Sequence, residues 1–115
     1  MASPSRIFEL RTYHVVPGKF DALQDRFRNH TLALFDKHGI TLVGFWIPLD
    51  SDGRPTDQLV YLLAFDDRGA ADRAWSAFRH DPAWAELKAN TEQEGPLSTS
   101  IESVYLTATD YSPLS

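Results

Sequence analysis

Residues 58–65 read QLVYLLAF, and the architecture of the chain turns on how this run is buried. As a β-strand it sends Leu59, Tyr61, Leu63 and Phe65 to one face and Val60, Leu62 and Ala64 to the other, because side chains alternate along a strand. Both sets are apolar or aromatic, the pattern of a strand covered on both sides. Burying one such side chain is worth about 1.5–3 kcal/mol, so leaving either set in water forfeits several times that. Helices can cover one face, and a second copy of the chain is the simplest cover for the other.

Upstream, the turn-rich DSDGRPTD (50–57) joins this run to ITLVGFWIPL (40–49), which makes an antiparallel hairpin. Before the hairpin, Phe20, Leu23, Phe27, Thr31, Leu34 and Phe35 recur at helical spacing. Gly39, just after Lys37 and His38, gives that helix a glycine stop behind a cationic last turn. Downstream, Asp66 or Asp67 can cap a helix whose apolar positions are Ala71, Ala74, Trp75 and Phe78. Asp81 followed by Pro82 starts a short further helix carrying Trp84 and Leu87, which EGP (94–96) breaks. With IFELRTYHV (7–15) as the first strand and SIESVYLTAT (100–109) as the last, the order is β-α-β-β-α-β. That is the split βαβ plan of an α+β, ferredoxin-like domain with a four-stranded antiparallel sheet.

A chain of 115 residues is expected to form one domain over residues 7–115, with MASPSR (1–6) a short, disordered polar tail. It has no cysteine, which removes disulfides, thiolate metal sites and a cysteine nucleophile, and agrees with a reducing compartment. No apolar run approaches the ~20 residues of a membrane span, so a cytoplasmic protein with no membrane partner is expected. The net charge of −5 comes without a basic cluster, which argues against nucleic acid as a partner.

The first strand carries the most chemistry. Ile7, Glu9, Arg11 and Tyr13 share one face and Phe8, Leu10 and Thr12 the other. A covered face bearing Glu9, Arg11 and Tyr13 is a candidate catalytic wall, offering a base, a cation and a phenolic donor. It is expected to look into the space between two sheets; the alternative is an interfacial salt bridge between Glu9 and an arginine. Glu102, on the last strand with Val104 and Leu106, is a second candidate base, the alternative being an edge-strand charge that discourages aggregation. His14 lies on the Leu10 side at the strand end, where it either contacts substrate or is a turn residue. Trp46, Tyr61, Phe65, Trp75 and Trp84 are candidate substrate-binding residues. Most aromatics belong to a core, but three tryptophans in so short a chain can also line a flat pocket for an aromatic or polycyclic ligand.

His30, His38 and His80 lack metal-ligand spacing, and DSDG lacks the remaining positions of a calcium loop. Neither a phosphate-cradling glycine loop nor a nucleophile elbow occurs. A metal-free protein without a cofactor is expected.

Three separated stretches, FELRTYHVVPGK (8–19), YLLAFDDRGAADRAWSAFRHDPAW (61–84) and TATDYSPL (107–114), resemble the NIPSNAP family of the dimeric α+β barrel superfamily. The resemblance runs from Ile7 to Leu114. It implies two ferredoxin-like sheets packed face to face in a homodimer, with pockets between sheet and helices or inside the barrel. The superfamily includes cofactor-free monooxygenases, isomerases, tailoring enzymes of aromatic natural products and heme-degrading enzymes. It therefore implies, first, a cofactor-independent enzyme using acid–base chemistry for cyclisation, isomerisation or oxygenation of an aromatic or polycyclic metabolite. A non-catalytic small-ligand carrier or interaction module is the second reading, and heme binding or degradation the third. For the third, Arg11 and Trp75 fall where heme-degrading relatives place pocket residues, but Lys88 or Ala89 stands where the iron-ligating histidine is expected.

Overall fold

The structure is a computed structural model describing residues 6–115; apart from Arg6, the expected N-terminal tail lies outside the described residues. Strand β1 (Ile7–Val15) is followed by helix α1 (Phe20–Arg26), a π-helical turn (Phe27–Thr31), α2 (Leu32–Lys37), β2 (Thr41–Trp46) and β3 (Gln58–Phe65). Helices α3 (Arg68–Arg79) and α4 (Pro82–Thr91) and strand β4 (Ser98–Thr107) complete the chain. The sheet order is β2-β3-β1-β4 with every pair antiparallel, so the fold is α+β and ferredoxin-like. No helix among the described residues is long and apolar enough to cross a membrane.

Local chemistry accounts for the element boundaries. Asp67, rather than Asp66, caps α3 by accepting from Ala70 N at 2.7 Å. Asp81 caps α4 by accepting from Ala83 N at 2.8 Å, with Pro82 in the first turn. Gly39 takes a φ of +71° immediately after α2 and His38, the left-handed conformation that a glycine stop requires. The single helix expected over Phe20–Phe35 is interrupted by the π-helical turn, which inserts an extra residue and so re-aims the side chains that follow it.

All helices pack on one face of the sheet. Tyr13, Val15, Leu59, Tyr61, Leu63 and Phe65 from the strands meet Leu23, Phe27, Phe35, Ala71, Trp75 and Phe78 from the helices in one core. Strand β3 therefore gives Leu59, Tyr61, Leu63 and Phe65 to the helices. Its other set, Val60, Leu62 and Ala64, shares the opposite face with Phe8, Leu10 and Thr12 of β1 and with Glu102, Val104 and Leu106 of β4, as the register requires. Phe8 and Ala64 are buried there, whereas Trp46 and Val104 keep 54% and 50% of their surface exposed. The Trp46 ring lies so close to Gly44 that a Cβ at that position would meet it at 2.8 Å, so only glycine permits this placement.

A polar clasp joins the end of α2 to the start of α4. Asp81 Oδ2 accepts from Lys37 Nζ at 2.8 Å and lies 2.7 Å from His38 Nε2. Lys37, the Ala83 amide and His38 together hold the Asp81 carboxyl well below its ordinary value of 3.8. A carboxyl depressed in the folded state stabilises fully above its unfolded pKa, and that contribution is lost as pH falls towards the folded one. Asp81→Asn, which retains capping ability, is expected to lower Tm by several degrees at neutral pH. The gap to wild type should close as pH falls below about 3.8; thermal melts across that range check it, and a gap independent of pH would exclude a role for the charge.

Candidate functional site

The expectation that Glu9, Arg11 and Tyr13 look into a space between two sheets is corrected by the structure: they face the helices. Their strand neighbours on that face are Leu63, Tyr61 and Leu59 on one side and Tyr105, Ser103 and Ile101 on the other. Side chains in register across antiparallel strands share a face, and this is the face on which the helices pack.

Glu9 is 2% exposed and accepts three hydrogen bonds. Trp75 Nε1 donates to Oε1 at 2.6 Å, and Ser103 Oγ and Arg11 Nη1 donate to Oε2 at 2.5 and 3.0 Å. A carboxylate engaged by three donors anchors the residues that carry them. The same Arg11 donates through Nε to Tyr61 Oη at 2.7 Å, and Tyr61 Oη donates to Tyr13 Oη at 3.5 Å. Burial, with Tyr13 beside it, pushes the Tyr61 phenol well above its usual 10.0 despite the pull of Arg11. Tyr61 is therefore a protonated donor at neutral pH. Burial works against the Arg11 charge, but the Tyr61 and Tyr13 oxygens outweigh it and raise the pKa of Arg11. The Arg11 guanidinium also lies 4.5 Å from the Trp75 ring centroid, a cation–π distance.

This cluster borders a cavity of about 220 Å³ between the sheet and the helices. Arg11 and Tyr13 from β1 and Ile101 from β4 form its sheet side. Phe35, Trp75, Phe78 and Trp84 supply aromatic walls, and Thr31, Arg79 and Lys88 complete it. The Trp75 ring meets Phe35 and Phe78 edge to face at 5.7 and 5.5 Å, and Phe78 packs on Trp84 at 4.8 Å, spacings at which aromatic pairs attract. A larger cleft of about 440 Å³ runs past His38, Ala64, Phe65 and Arg73, but it has one aromatic residue and none of the Glu9 cluster.

Of the sequence-predicted residues, the structure thus gathers Glu9, Arg11, Tyr13, Tyr61, Trp75 and Trp84 in or directly behind one cavity. Phe65 belongs to the core and borders the larger cleft. Glu102, His14 and Trp46 lie on the opposite face of the sheet. Glu102 stands opposite Thr12 in register, its side chain is 72% exposed, and its Oε1 is 3.4 Å from His14 Nε2. The two carboxylates cannot meet, because the sheet lies between them, and Glu102 occupies an edge strand.

Thr31, Arg79 and Lys88 were not among the predicted site residues. A signal for two of them exists: Arg79 follows Trp75, and Lys88 follows Trp84, by four positions, so each cation sits one helical turn beyond a tryptophan. Thr31 enters through the π-helical turn, for which the sequence has no comparable mark. As for a heme, no histidine among the described residues lines the cavity, and its volume of about 220 Å³ lies below the ~300–1,000 Å³ of drug-sized ligand sites. These residues do not fit that group.

No curated protein matches the chain. Among solved structures, a NIPSNAP family protein with unknown function from Agrobacterium tumefaciens strain C58 superimposes with a TM-score of 0.83 at 19% identity, covering 99% of this chain and 97% of that one. An uncharacterised NIPSNAP-like domain protein from Burkholderia xenovorans gives 0.81 at 22% identity, covering 96% and 91%. SnoaB, a cofactor-independent oxygenase from Streptomyces nogalater, is more distant, with a TM-score of 0.58 at 18% identity, covering 95% and 98%. At these identities the likeness concerns the fold alone. The NIPSNAP family model matches residues 8–113, nearly the whole sequence, and the chain belongs to the NIPSNAP family.

Proposed function

We propose that the protein is a homodimeric, cofactor-independent enzyme of the cytoplasm that acts on a small aromatic metabolite in the cavity between its sheet and its helices. The observation that carries this reading is the donor relay Arg11–Tyr61–Tyr13, which ends at a residue lining an aromatic-walled cavity. Because Arg11 donates to Tyr61 and Tyr61, over a long 3.5 Å, to Tyr13, the Tyr13 hydroxyl keeps its own proton for a ligand oxygen. Such a donor stabilises an enolate or oxyanion as it forms, the substrate's proton passing to solvent water, the step common to cyclisation, isomerisation and oxygenation of phenolic or keto-aromatic compounds in natural-product tailoring. Glu9 serves as a positioning residue, fixing Arg11 and Trp75. The fold likeness to a cofactor-independent oxygenase accords with chemistry that needs no bound cofactor.

A second reading, a non-catalytic carrier, draws on a different observation: no carboxylate or histidine among the described residues lines the cavity, so none of them offers a side-chain base of ordinary strength there. Tyr13→Phe separates the two. On a panel of small aromatic acids and phenols, with products followed by mass spectrometry, wild type should convert a member of the panel. Tyr13→Phe should convert it roughly 10²–10³ times more slowly while melting within a few degrees of wild type. Ligand binding without turnover in either protein favours the carrier.

The homodimer rests on the sheet face that the helices leave open, where Leu10, Leu62, Val104, Leu106 and Trp46 form an apolar surface. A second copy meeting it face to face would enclose these residues between two sheets.

A further inference from the structure

We infer that the cavity selects an aromatic anion of one or two rings, its rings against Trp75, Phe78 and Trp84 and its acidic group at Arg79 and Lys88; this deepens, and rests on, the reading of the cavity as a site for an aromatic metabolite. Charge is the first argument. The chain has 16 acidic and 11 basic residues, yet the cavity is bordered by three of the basic ones, Arg11, Arg79 and Lys88, and by none of the acidic ones. An acidic protein that concentrates cations at one aromatic cavity repels neither a carboxylate nor a phenolate there, and attracts both.

The second argument is which of those cations is uncommitted. Arg11 is neutralised by Glu9 at 3.0 Å and tied to Tyr61. Arg79 and Lys88 have no carboxylate within ion-pair distance among the described residues. Arg79 lies 5.6 Å from the Trp75 ring, so a ring seated beside that indole carries its acidic group within reach of the guanidinium. The third is Thr31, which borders the cavity and is 2% exposed, yet its hydroxyl has no hydrogen-bond partner. Buried hydroxyls are ordinarily satisfied, so a turn of this side chain towards the cavity lets an oxygen supplied by the ligand complete it. The fourth is the missing base. With no carboxylate or imidazole among the described residues at the cavity to take a proton, a ligand held there as an anion arrives already ionised, as a carboxylic acid does at neutral pH.

Size sets the number of rings. A dry cavity of about 150 Å³ holds a benzene molecule, so about 220 Å³ accommodates one substituted ring or two fused rings and excludes larger polycycles. The expected polycyclic ligand is thereby narrowed.

The test is calorimetric titration of the full chain with naphthalene-2-carboxylate and with its neutral isostere, naphthalene-2-carboxamide. The acid should bind about tenfold more tightly or better, since a charged partner strengthens a hydrogen bond. Arg79→Gln and Lys88→Gln should each weaken the acid roughly two- to fivefold and leave the amide unchanged. Equal binding of acid and amide, or a double variant that holds the acid as wild type does, would overturn the anion inference while leaving an aromatic site intact. Binding of neither compound would overturn it together with the reading of the cavity. Tight, charge-selective binding with no turnover of any panel compound would support the anion inference and count against the enzyme reading alone.

Discussion

Arg11→Ala is expected to cost about 3–5 kcal/mol of stability, the range for removing one partner of a buried ion pair, and hence on the order of 10–20 °C in Tm at fixed protein concentration. The reason lies less in the contacts Arg11 makes than in what it leaves behind. Glu9 is 2% exposed, and without the guanidinium its charge is held only by the Trp75 and Ser103 donors. Removing both charges with Glu9→Leu and Arg11→Leu together should restore part of the loss, because no charge is left stranded, while the Trp75 Nε1 and Ser103 Oγ donors and the Tyr61 hydroxyl lose their partners. A thermodynamic cycle over the two single variants and the double variant measures this. Additive losses would show that the pair is not coupled and that Arg11 acts through its packing on Trp75 alone.

Leu62→Lys is expected to abolish the proposed dimer at micromolar concentration. Leu62 lies near the middle of β3, paired in register with Leu10 of β1, on the face that the helices leave open. In a two-fold interface the substitution occurs twice, and each uncompensated buried charge costs several kcal/mol. The helix-side core is untouched, so the variant should keep its far-ultraviolet circular dichroism while sedimenting as a monomer. Leu63→Lys is the contrast: Leu63 is fully buried against the helices, and the same charge there should unfold the chain. Sedimentation of wild type as a stable monomer would overturn the proposed dimer, and Leu62→Lys as an unchanged dimer would place the interface on another surface.

Both predictions depend on knowing which face of the sheet meets the helices, and that was not legible in the sequence. Alternation is a local property of extended backbone, so the grouping of Glu9, Arg11 and Tyr13 on one side of β1, and of Glu102 with Val104 and Leu106 on one side of β4, followed from the residues alone. So did the order of strands and helices, the Asp81–Pro82 start of α4 and the glycine stop at Gly39, because periodicity, caps and turns act within a few residues. What alternation cannot supply is the side each set takes, and QLVYLLAF, apolar on both faces, has no preference to offer. Only the packing of Trp75 on Glu9, and of Tyr61 among Phe27, Phe35 and Phe45, decided it. These contacts join residues 16 to 66 positions apart, beyond the reach of any local pattern. Long-range packing likewise leaves Glu102 on the far side of the sheet from the Glu9 cluster, brings Arg79 and Lys88 to one cavity from two helices, and sets Thr31 at its border through a π-helical turn. Sequence determined which residues travel together on each element; tertiary packing decided which of those sets meet, because faces are chosen by long-range burial and not by the backbone.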